Sequence, residues 1–468
     1  MEWLRLRRLS HELAAQVSCV DKSDAFRTLV GSEELRHEPV HRWFSYKEGF
    51  SPNLLERVID ELGLSSSLKI VDPFGGVATC ALSGLAHPSV AEIRSVEYSP
   101  FARFAGQVKL GYRDLDAGHL IELLPKALCY EHQAAVTVPP LAAFTDRRIF
   151  TSKRIRALLA ARDHVATLAG ATENERAFFL LGLAAVTEDL SGAMKDGRAL
   201  RVKDRRRRRP SSLAATEPLI DKRGVVRRAL AGQWSAMIED LASVSLRPGG
   251  QGRGVAMHLA GDARNLSRSR LPNGATAFPA AWADLSLFSP PYLNLIDYTE
   301  LYKLELWLMG HIVDQSGFRD MRLGTLRSHP SVRFAETDRF EGLDAPVLDF
   351  ARGASEWLTQ HGARKEVGPV VRQYFEDMFD VWVEQRRVLK EGGVAVCVVA
   401  NSTFSRRERL SNGEHREIWR MPLLTDVVLA HLAQLAGFQK VQLWHARDLR
   451  PRNVRAGRAR EALVVAHV

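Results

Sequence analysis

The chain has 468 residues, which is longer than one compact core usually supports, so its size predicts two or three structural units. Hydrophobic residues make up 46% and charged residues 26%, as in ordinary globular proteins, and no stretch approaches the roughly 20 consecutive apolar residues of a membrane-spanning helix. The first residues, MEWLR, carry early charges without an apolar core, unlike a secretory signal, so we expect a cytoplasmic protein with no membrane partner.

Charge and cysteine content narrow the range of partners. Lys and Arg number 65 against 55 Asp and Glu, which gives a formal net charge of +10. Because neutralising phosphates releases counterions, this balance favours a polyanionic partner, although many basic proteins never bind nucleic acid. The four cysteines are far apart and form no C-x-x-C pair, so we expect no metal site and no disulfide, and we expect each cysteine to be a small buried side chain.

The first part of the chain has the pattern of an α/β protein. Residues 1–40 are polar and mixed and are predicted to be an N-terminal extension. The elements that follow are a helix, a buried strand, a glycine turn, a second helix and a second strand, at residues 51–63, 68–71, 72–76, 79–85 and 93–97. A strand, a glycine turn, a helix and a strand in this order form a βαβ unit, which implies a parallel sheet.

The pattern changes between residues 111 and 250, which are mostly helical and are predicted to be an insertion. Strands return at 255–259, 285–288, 394–399, 441–444 and 462–466, and the last two are predicted to form a hairpin at the sheet edge. The prediction is therefore an α/β fold with a Rossmann-like sheet, helices on both faces and a largely helical insertion. Residues 41–110 and 251–468 supply its two parts.

The first candidate site is the turn Asp72-Pro73-Phe74-Gly75-Gly76, which leads through Val77-Ala78 to Thr79. Glycines between a strand and a helix let the backbone pass close to a ligand and leave the helix N-terminus free for it. Glu97 ends the next strand about twenty residues later, the usual place for an acid that binds ribose hydroxyls. Alone, the pattern also fits a tight turn in any α/β protein.

The second candidate site is Ser289-Pro290-Pro291-Tyr292, directly after a buried strand. Prolines donate no backbone hydrogen bond and stiffen the chain, so the carbonyls between them point in a fixed direction. Such a carbonyl can accept a hydrogen bond from an exocyclic amine, and a neighbouring tyrosine can stack on a planar base. Considered alone, the motif also fits a rigid turn whose tyrosine only packs in the protein.

In combination the two motifs resemble those of the amino-methyltransferases of DNA. The resemblance extends to His41-Arg42-Trp43-Phe44 with Phe50-Ser51-Pro52-Asn53, to Gly261-Asp262-Ala263, and to the stretch from Asn294 to Trp307. It implies S-adenosylmethionine as cofactor and Ser289, Pro290, Pro291 and Tyr292 as the catalytic pocket. The residues that it implies at the cofactor are Trp43, Asp72, Pro73, Phe74, Gly75, Gly76, Thr79, Glu97, Tyr98 and Asp262.

The resemblance also implies a reaction and a partner. Methyl transfer would go to the exocyclic amine of a base flipped out of double-stranded DNA, with a restriction or defence component as a further partner. The serine form of the tetrapeptide is associated with cytosine N4, which we favour over adenine N6. An RNA base methyltransferase and a catalytically silent DNA-binding relative stay open as alternatives. The family usually has glycine where this chain has Ala78, and we expect that alanine to keep ordinary helical backbone angles.

The insertion at residues 111–250 is the candidate target-recognition region, and a basic tract within it is the predicted DNA contact. Its predicted DNA-binding residues are Lys195, Arg198, Arg201, Arg205 and Arg206. These side chains would lie along the phosphate backbone and position the duplex without reading its sequence. A solvated loop is the alternative for this tract. A second basic stretch from Arg447 to Arg460 is expected either to flank the flipped base or to lie on a surface loop.

Overall fold

The computed structural model describes residues 2–65, 67–130, 144, 152–195, 200–202, 224–245, 254–293, 296–362, 364–409, 411, 415–449 and 459–468. Its strands are β1 Ser18–Asp21, β2 Leu68–Asp72, β3 Val90–Glu97, β4 Ala193–Lys195, β5 Leu200–Val202, β6 Val255–Ala260, β7 Ala283–Phe288, β8 Leu389–Ala400, β9 Ser402–Arg409, β10 His415–Leu423, β11 Lys440–Leu449 and β12 Ala459–His467.

The helices predicted at residues 51–63 and 79–85 are present at Leu54–Leu62 and Thr79–Ala86. Helices of the first half are α1 Glu2–Ala15, α2 Ser23–Phe26, α3 Leu54–Leu62, α4 Thr79–Ala86, α5 Pro100–Leu110, α6 Ala117–Ala127, α7 Ser152–Ala166, α8 Glu173–Ala185, α9 Thr187–Leu190 and α10 Val225–Ser245. Those of the second half are α11 Tyr298–Leu301, α12 Lys303–Leu308, α13 Gln315–Gly324, α14 Pro346–His361, α15 Val367–Val388 and α16 Thr425–Leu435.

One eight-stranded sheet has the order β1-β11-β12-β8-β7-β2-β3-β6. Strand β12 is antiparallel to both of its neighbours, and every other pairing in this sheet is parallel. The carboxyl ends of β2, β3, β6 and β7 therefore meet at the same edge. In open α/β sheets this edge is where ligands bind.

Both faces of the sheet are covered by helices. Along β8, Ala395, Cys397 and Val399 pack in one core cluster with α1, α14, α15 and α16, whereas Val394, Val396 and Val398 pack in another with α2, α3 and α4. This alternation makes the strand apolar on both sides, which explains its continuous hydrophobic sequence. A third cluster joins α5 to the insertion helices α6, α7, α8 and α10. The predicted fold class, with helices on both faces and a largely helical insertion, is confirmed.

Several local expectations differ from the structure. The hairpin of β11 and β12 does not lie at the sheet edge, because β12 is inserted between β8 and β11. The edge is taken by β1, so the predicted N-terminal extension contributes a strand to the sheet. Cys19 and Cys129 are exposed, not buried, and all four cysteines are free thiols. Within the described residues, no helix is long and apolar enough to cross a membrane.

Candidate active site

A cavity of about 630 Å³ opens at the carboxyl ends of β2, β3, β6 and β7. This volume falls within the range of about 300–1,000 Å³ that is usual for small-molecule sites. The structure brings thirteen of the fourteen residues predicted for cofactor binding and catalysis to its wall: Asp72, Pro73, Phe74, Gly75, Gly76, Thr79, Glu97, Tyr98, Asp262, Ser289, Pro290, Pro291 and Tyr292. The two motifs, separated by more than two hundred residues, thus face one space.

The glycine turn is supported from behind by His258 on β6. A Cβ atom on Gly75 would lie 2.7 Å from His258 Cε1, so only glycine fits against this ring. His258 Nδ1 lies 2.7 Å from Ser95 Oγ, and Nε2 lies 3.2 Å from the Gly76 carbonyl oxygen. Burial lowers the pKa of His258 to about 4, so the ring is neutral near pH 7 and donates from Nε2 to that carbonyl. The sequence contained no local signal for this role.

Ala78 has a left-handed backbone, with φ of 65° and ψ of 33°, directly before α4. The expectation of ordinary helical angles is therefore wrong. An L-residue in this region costs roughly 1–2 kcal/mol relative to the right-handed helix, because its Cβ crowds the following carbonyl oxygen. The turn keeps the geometry that glycine adopts easily, and the fully buried alanine belongs to the core cluster that also contains α3 and β3 residues.

Two enclosed carboxyl groups face the cavity from the ends of β2 and β3. Asp72 Oδ1 accepts a hydrogen bond of 3.0 Å from the Phe74 amide. Glu97 accepts bonds from the Gly76 amide at 2.8 Å and from the Ser99 amide at 2.6 Å, and thereby connects the turn to the start of α5. Desolvation raises the pKa of each carboxyl to about 7, so both titrate near neutral pH.

Asp262 follows β6 and is already paired within the protein. Its carboxylate accepts bonds from Arg264 at 3.0 Å for Nε and 2.7 Å for Nη2, and Arg264 also reaches Asp377 on α15 at 3.2 Å. Asp262 lines the cavity with this guanidinium behind it. Any ligand contact would therefore use the remaining lone pairs of a carboxylate whose position is fixed.

Tyr292 is held in the cavity wall by a buried carboxylate that the sequence analysis missed. Its hydroxyl donates to Glu461 Oε1 at 2.8 Å, and Arg447 Nε donates to Glu461 Oε2 at 2.7 Å. Burial and the Glu461 charge raise the pKa of Tyr292 well above its ordinary value, so the phenol stays protonated. Ser289 Oγ lies 3.3 Å from the Val398 carbonyl oxygen and 3.5 Å from the Tyr292 hydroxyl. Glu461 is 169 residues from Tyr292, so no local pattern indicates the contact.

Two predicted site residues lie elsewhere. Trp43 is fully buried and does not line the cavity; its Nε1 donates to Asp240 at 3.1 Å, and its ring meets Phe178 edge-on at 5.1 Å. It anchors the insertion to the segment before β2. The Lys195 side chain is only 6% exposed, and its Nζ lies 2.5 Å from Glu305 and 3.7 Å from Glu188.

The burial of Lys195 contradicts its prediction as a phosphate contact, because its charge is already paired inside the protein. Its ammonium also lies 4.4 Å from the centre of the Tyr302 ring, a cation–π contact. Arg201 is exposed on β5. Arg198, Arg205 and Arg206 lie outside the described residues, so their predicted role stays a prediction.

The cavity wall is predominantly acidic. Lys47 and Arg447 are the Lys and Arg residues of the wall. Its more numerous acidic residues are Glu33, Glu48, Asp72, Glu97, Asp262, Asp297 and Glu461. On the insertion side, the Tyr302 hydroxyl donates to Glu48, and Tyr46 stacks on Tyr302 at 4.8 Å. Among the described residues, no group of three or more His, Cys, Asp or Glu side chains could hold a metal ion. The wall thus suits an organic cation with aromatic and hydroxyl groups.

The chain has sequence relatives among Type II methyltransferases. The chain is 24% identical over 353 residues to the Type II methyltransferase M.BsoBI of Geobacillus stearothermophilus, which covers 66% of this chain and 60% of that protein. It is 23% identical over 447 residues to the Type II methyltransferase M.AvaI of Nostoc sp. (strain PCC 7120 / SAG 25.82 / UTEX 2576) and, with the same figures, of Anabaena variabilis, covering 88% of this chain and 82% of each relative. No family model matches.

Among solved structures, the rRNA methyltransferase aviRa from Streptomyces viridochromogenes overlaps 89% of this chain and 85% of its own, at 10% identity. Its TM-score of 0.26 is too low to support an argument. The chain is similar in sequence to Type II methyltransferases, and its largely parallel sheet with helices on both faces is Rossmann-like.

Proposed function

We propose that the protein transfers a methyl group from S-adenosylmethionine to the exocyclic amine of a base in double-stranded DNA, with cytosine N4 as the favoured target. The observation that carries this proposal is the single cavity shared by the glycine turn, Glu97 and the tetrapeptide Ser289–Tyr292. The similarity to Type II methyltransferases supports it. A restriction nuclease as partner stays a prediction from the resemblance alone.

The residues present fit the cofactor by their chemistry. When bound, S-adenosylmethionine supplies an electrophilic methyl group on a positively charged sulfonium. An acidic wall favours that charge, Glu97 is placed to accept bonds from ribose hydroxyls, and the free N-terminus of α4 lies beside the turn. Phe74 and Tyr98 offer aromatic surface along the same wall. Trp43 is not among the proposed cofactor contacts, because it is buried outside the cavity.

The tetrapeptide would align the amine. The Pro290 carbonyl and Ser289 Oγ accept hydrogen bonds from the amine, which directs its lone pair out of the ring plane. Tyr292 stacks on the base, and its hydroxyl bond to Glu461 fixes the ring in one orientation. Since no covalent intermediate is needed, alignment and electrostatics are the main contributions. The serine at position 289 supports cytosine over adenine, whose N6 amine is the alternative target.

The two enclosed carboxyls predict a pH-dependent cofactor affinity. A cationic ligand favours ionised carboxyls, and the pKa of Asp72 and of Glu97 is about 7 without ligand. Affinity is therefore expected to rise about tenfold between pH 6 and pH 8 for each group that must ionise, with protons released on binding below pH 7. In the protein without ligand, pH acts on stability in the opposite direction. The free energy of unfolding falls as pH rises from about 4 to about 7, because the unfolded chain has already lost these protons while the folded protein still holds them.

Titration calorimetry in buffers of different ionisation enthalpy measures both the affinity and the number of protons released. Glu97→Gln should flatten the profile and release fewer protons, whereas Glu56→Gln, an exposed carboxyl on α3, should leave both unchanged. An affinity independent of pH in the unmodified protein would show that neither carboxyl ionises on binding.

Methyl transfer from radiolabelled cofactor to duplex DNA tests the proposed function, with RNA in parallel. Tyr292→Ala is expected to slow transfer about 5- to 150-fold, because stacking on a base contributes about 1–3 kcal/mol. Digestion to nucleosides identifies the methylated base. Label in N4-methylcytosine supports the proposal, and label in N6-methyladenine shows that the target amine is adenine N6. Label in RNA alone contradicts the DNA substrate, and cofactor binding without transfer to varied DNA sequences favours a silent relative.

A further inference from the structure

Strands β9 and β10 form a two-stranded antiparallel ribbon that is separate from the central sheet. Its register runs from Ser402 opposite Leu423 to Arg409 opposite His415. Only Asn401 separates the end of β8 from the ribbon, and it is fixed by backbone bonding to Arg460 at 2.9 Å. The ribbon therefore extends directly from a core strand and is rigidly attached at its base.

The base of the ribbon contacts the catalytic loop. Ser402 Oγ donates a hydrogen bond to the carbonyl of Leu293, the residue after Tyr292. Phe404 and Trp419 pack against the core, and the Trp419 ring meets Trp357 edge-on at 4.6 Å. One side of the ribbon is thus anchored beside the cavity, and its position relative to Tyr292 is set by direct contacts.

The sequence of the ribbon is basic, and several of its described side chains are exposed. Its two strands contain five arginines against two glutamates, and the connecting residues 410–414 add one glutamate. The side chains of Arg406 and Arg416 are exposed, and Ile418 is 48% exposed. Exposed arginines and an exposed isoleucine bury little surface in the fold, whereas the basic charge of the ribbon matches a polyanion.

We propose that ribbon β9–β10 enters the major groove of duplex DNA next to the base that Tyr292 receives. The major groove of B-form DNA admits a two-stranded ribbon, and arginines there bind phosphates and guanine edges. An element anchored one residue from Tyr292 must face the duplex when a base occupies the cavity. The deep, narrow major groove of duplex RNA excludes such a ribbon. The inference rests on the proposed function for its nucleic-acid substrate.

Fluorescence anisotropy with a labelled mixed-sequence DNA duplex, and with the RNA duplex of the same sequence, tests the ribbon. Replacing both exposed arginines, Arg406→Ala with Arg416→Ala, is expected to weaken DNA binding about tenfold and to reduce the slope of log affinity against log salt by about 2. Lys440→Ala is the matched control, because this exposed cation lies at the amino end of β11, away from the cavity edge. It should change neither quantity.

A photo-cross-linking residue in place of Ile418 locates the contact independently of affinity. It should cross-link to the DNA duplex, whereas the same residue in place of Val255, 50% exposed at the amino end of β6, should not. Unchanged calorimetric cofactor binding shows that the variants are folded. Equal DNA affinity of the double variant and the unmodified protein, or no cross-link from position 418, overturns the inference.

The same measurements separate this inference from the proposed function. If the variant with the photo-cross-linking residue at position 418 cross-links to DNA but the unmodified protein methylates no DNA, the inference about the ribbon is supported and the proposed reaction is contradicted. If methyl transfer to DNA occurs and the double variant shows an unchanged KM for the duplex, the ribbon assignment fails alone. A stronger effect on RNA than on DNA binding would also contradict it.

Discussion

Gly75→Ala is expected to lower the affinity for S-adenosylmethionine about 100-fold, although alanine differs from glycine by one methyl group. The new Cβ atom would lie 2.7 Å from His258 Cε1 and 2.9 Å from Ser95 Cβ. His258 cannot retreat, because Ser95 and the Gly76 carbonyl hold it from both ring nitrogens. The turn must therefore move into the cavity. Overpacking of this kind costs about 1–3 kcal/mol, and the upper part of that range corresponds to about 100-fold in affinity.

Calorimetric binding and thermal unfolding of the same variant measure this effect. Gly111→Ala is the matched control: a Cβ atom there meets nothing within 4 Å, and φ of −76° suits any residue. It should leave affinity and unfolding temperature nearly unchanged. Normal cofactor affinity in Gly75→Ala would mean that the turn does not approach the cofactor, which would remove the main support for the binding site.

Asp377→Ala is expected to lower the free energy of unfolding by about 3–5 kcal/mol, the usual effect of removing one partner from a buried ion pair. Asp377 on α15 accepts from the Arg327 amide at 2.8 Å, from Arg327 Nη2 at 2.8 Å and from Arg264 Nη1 at 3.2 Å. The Asp377 and Arg327 side chains are 3% and 8% exposed. Without the carboxylate, Arg327 would keep only Glu376 as a charged partner, at 3.3 Å.

Urea unfolding compares this variant with Asp380→Ala on the same helix. Asp380 pairs with Arg339 at 3.3 Å, but the Arg339 side chain is 59% exposed, so loss of this pair should cost about 1 kcal/mol or less. Because Arg264 connects Asp377 to Asp262 in the cavity wall, Asp377→Ala should also weaken cofactor binding at temperatures where it is folded. Equal losses in the two variants would contradict the inferred importance of burial.

The parts of the site that the sequence predicts are those with a local signature. A glycine turn between a strand and a helix, an acid at the next strand end and prolines after a buried strand are each readable within a few residues. Parallel strands bring their carboxyl ends together, so these motifs meet in space. The order of the strands in the sheet places these motifs next to each other, and the βαβ unit implies that order.

The missed features depend on partners distant in the chain. Lys195 lies in a basic tract of the sequence, but Glu305 pairs with it from 110 residues away. Trp43 lies in a recognisable motif, yet Asp240 and Phe178 in the insertion bury it. Strand β1 has four exposed residues and no hydrophobic alternation, so nothing in its sequence predicts pairing with β11. The left-handed backbone of Ala78 is imposed by the turn, against the preference of alanine.

The position of β12 in the sheet has a consequence for synthesis in the cell. This late strand lies between β8 and β11, and β11 in turn supports β1, with Ser18 opposite Gln442. The sheet cannot be completed until residues through His467 have left the ribosome. At about 5–20 residues per second, the N-terminal helix and strand wait tens of seconds for their partners. During that interval the emerging apolar strands are open to aggregation, so this protein is expected to depend on chaperones that bind nascent chains.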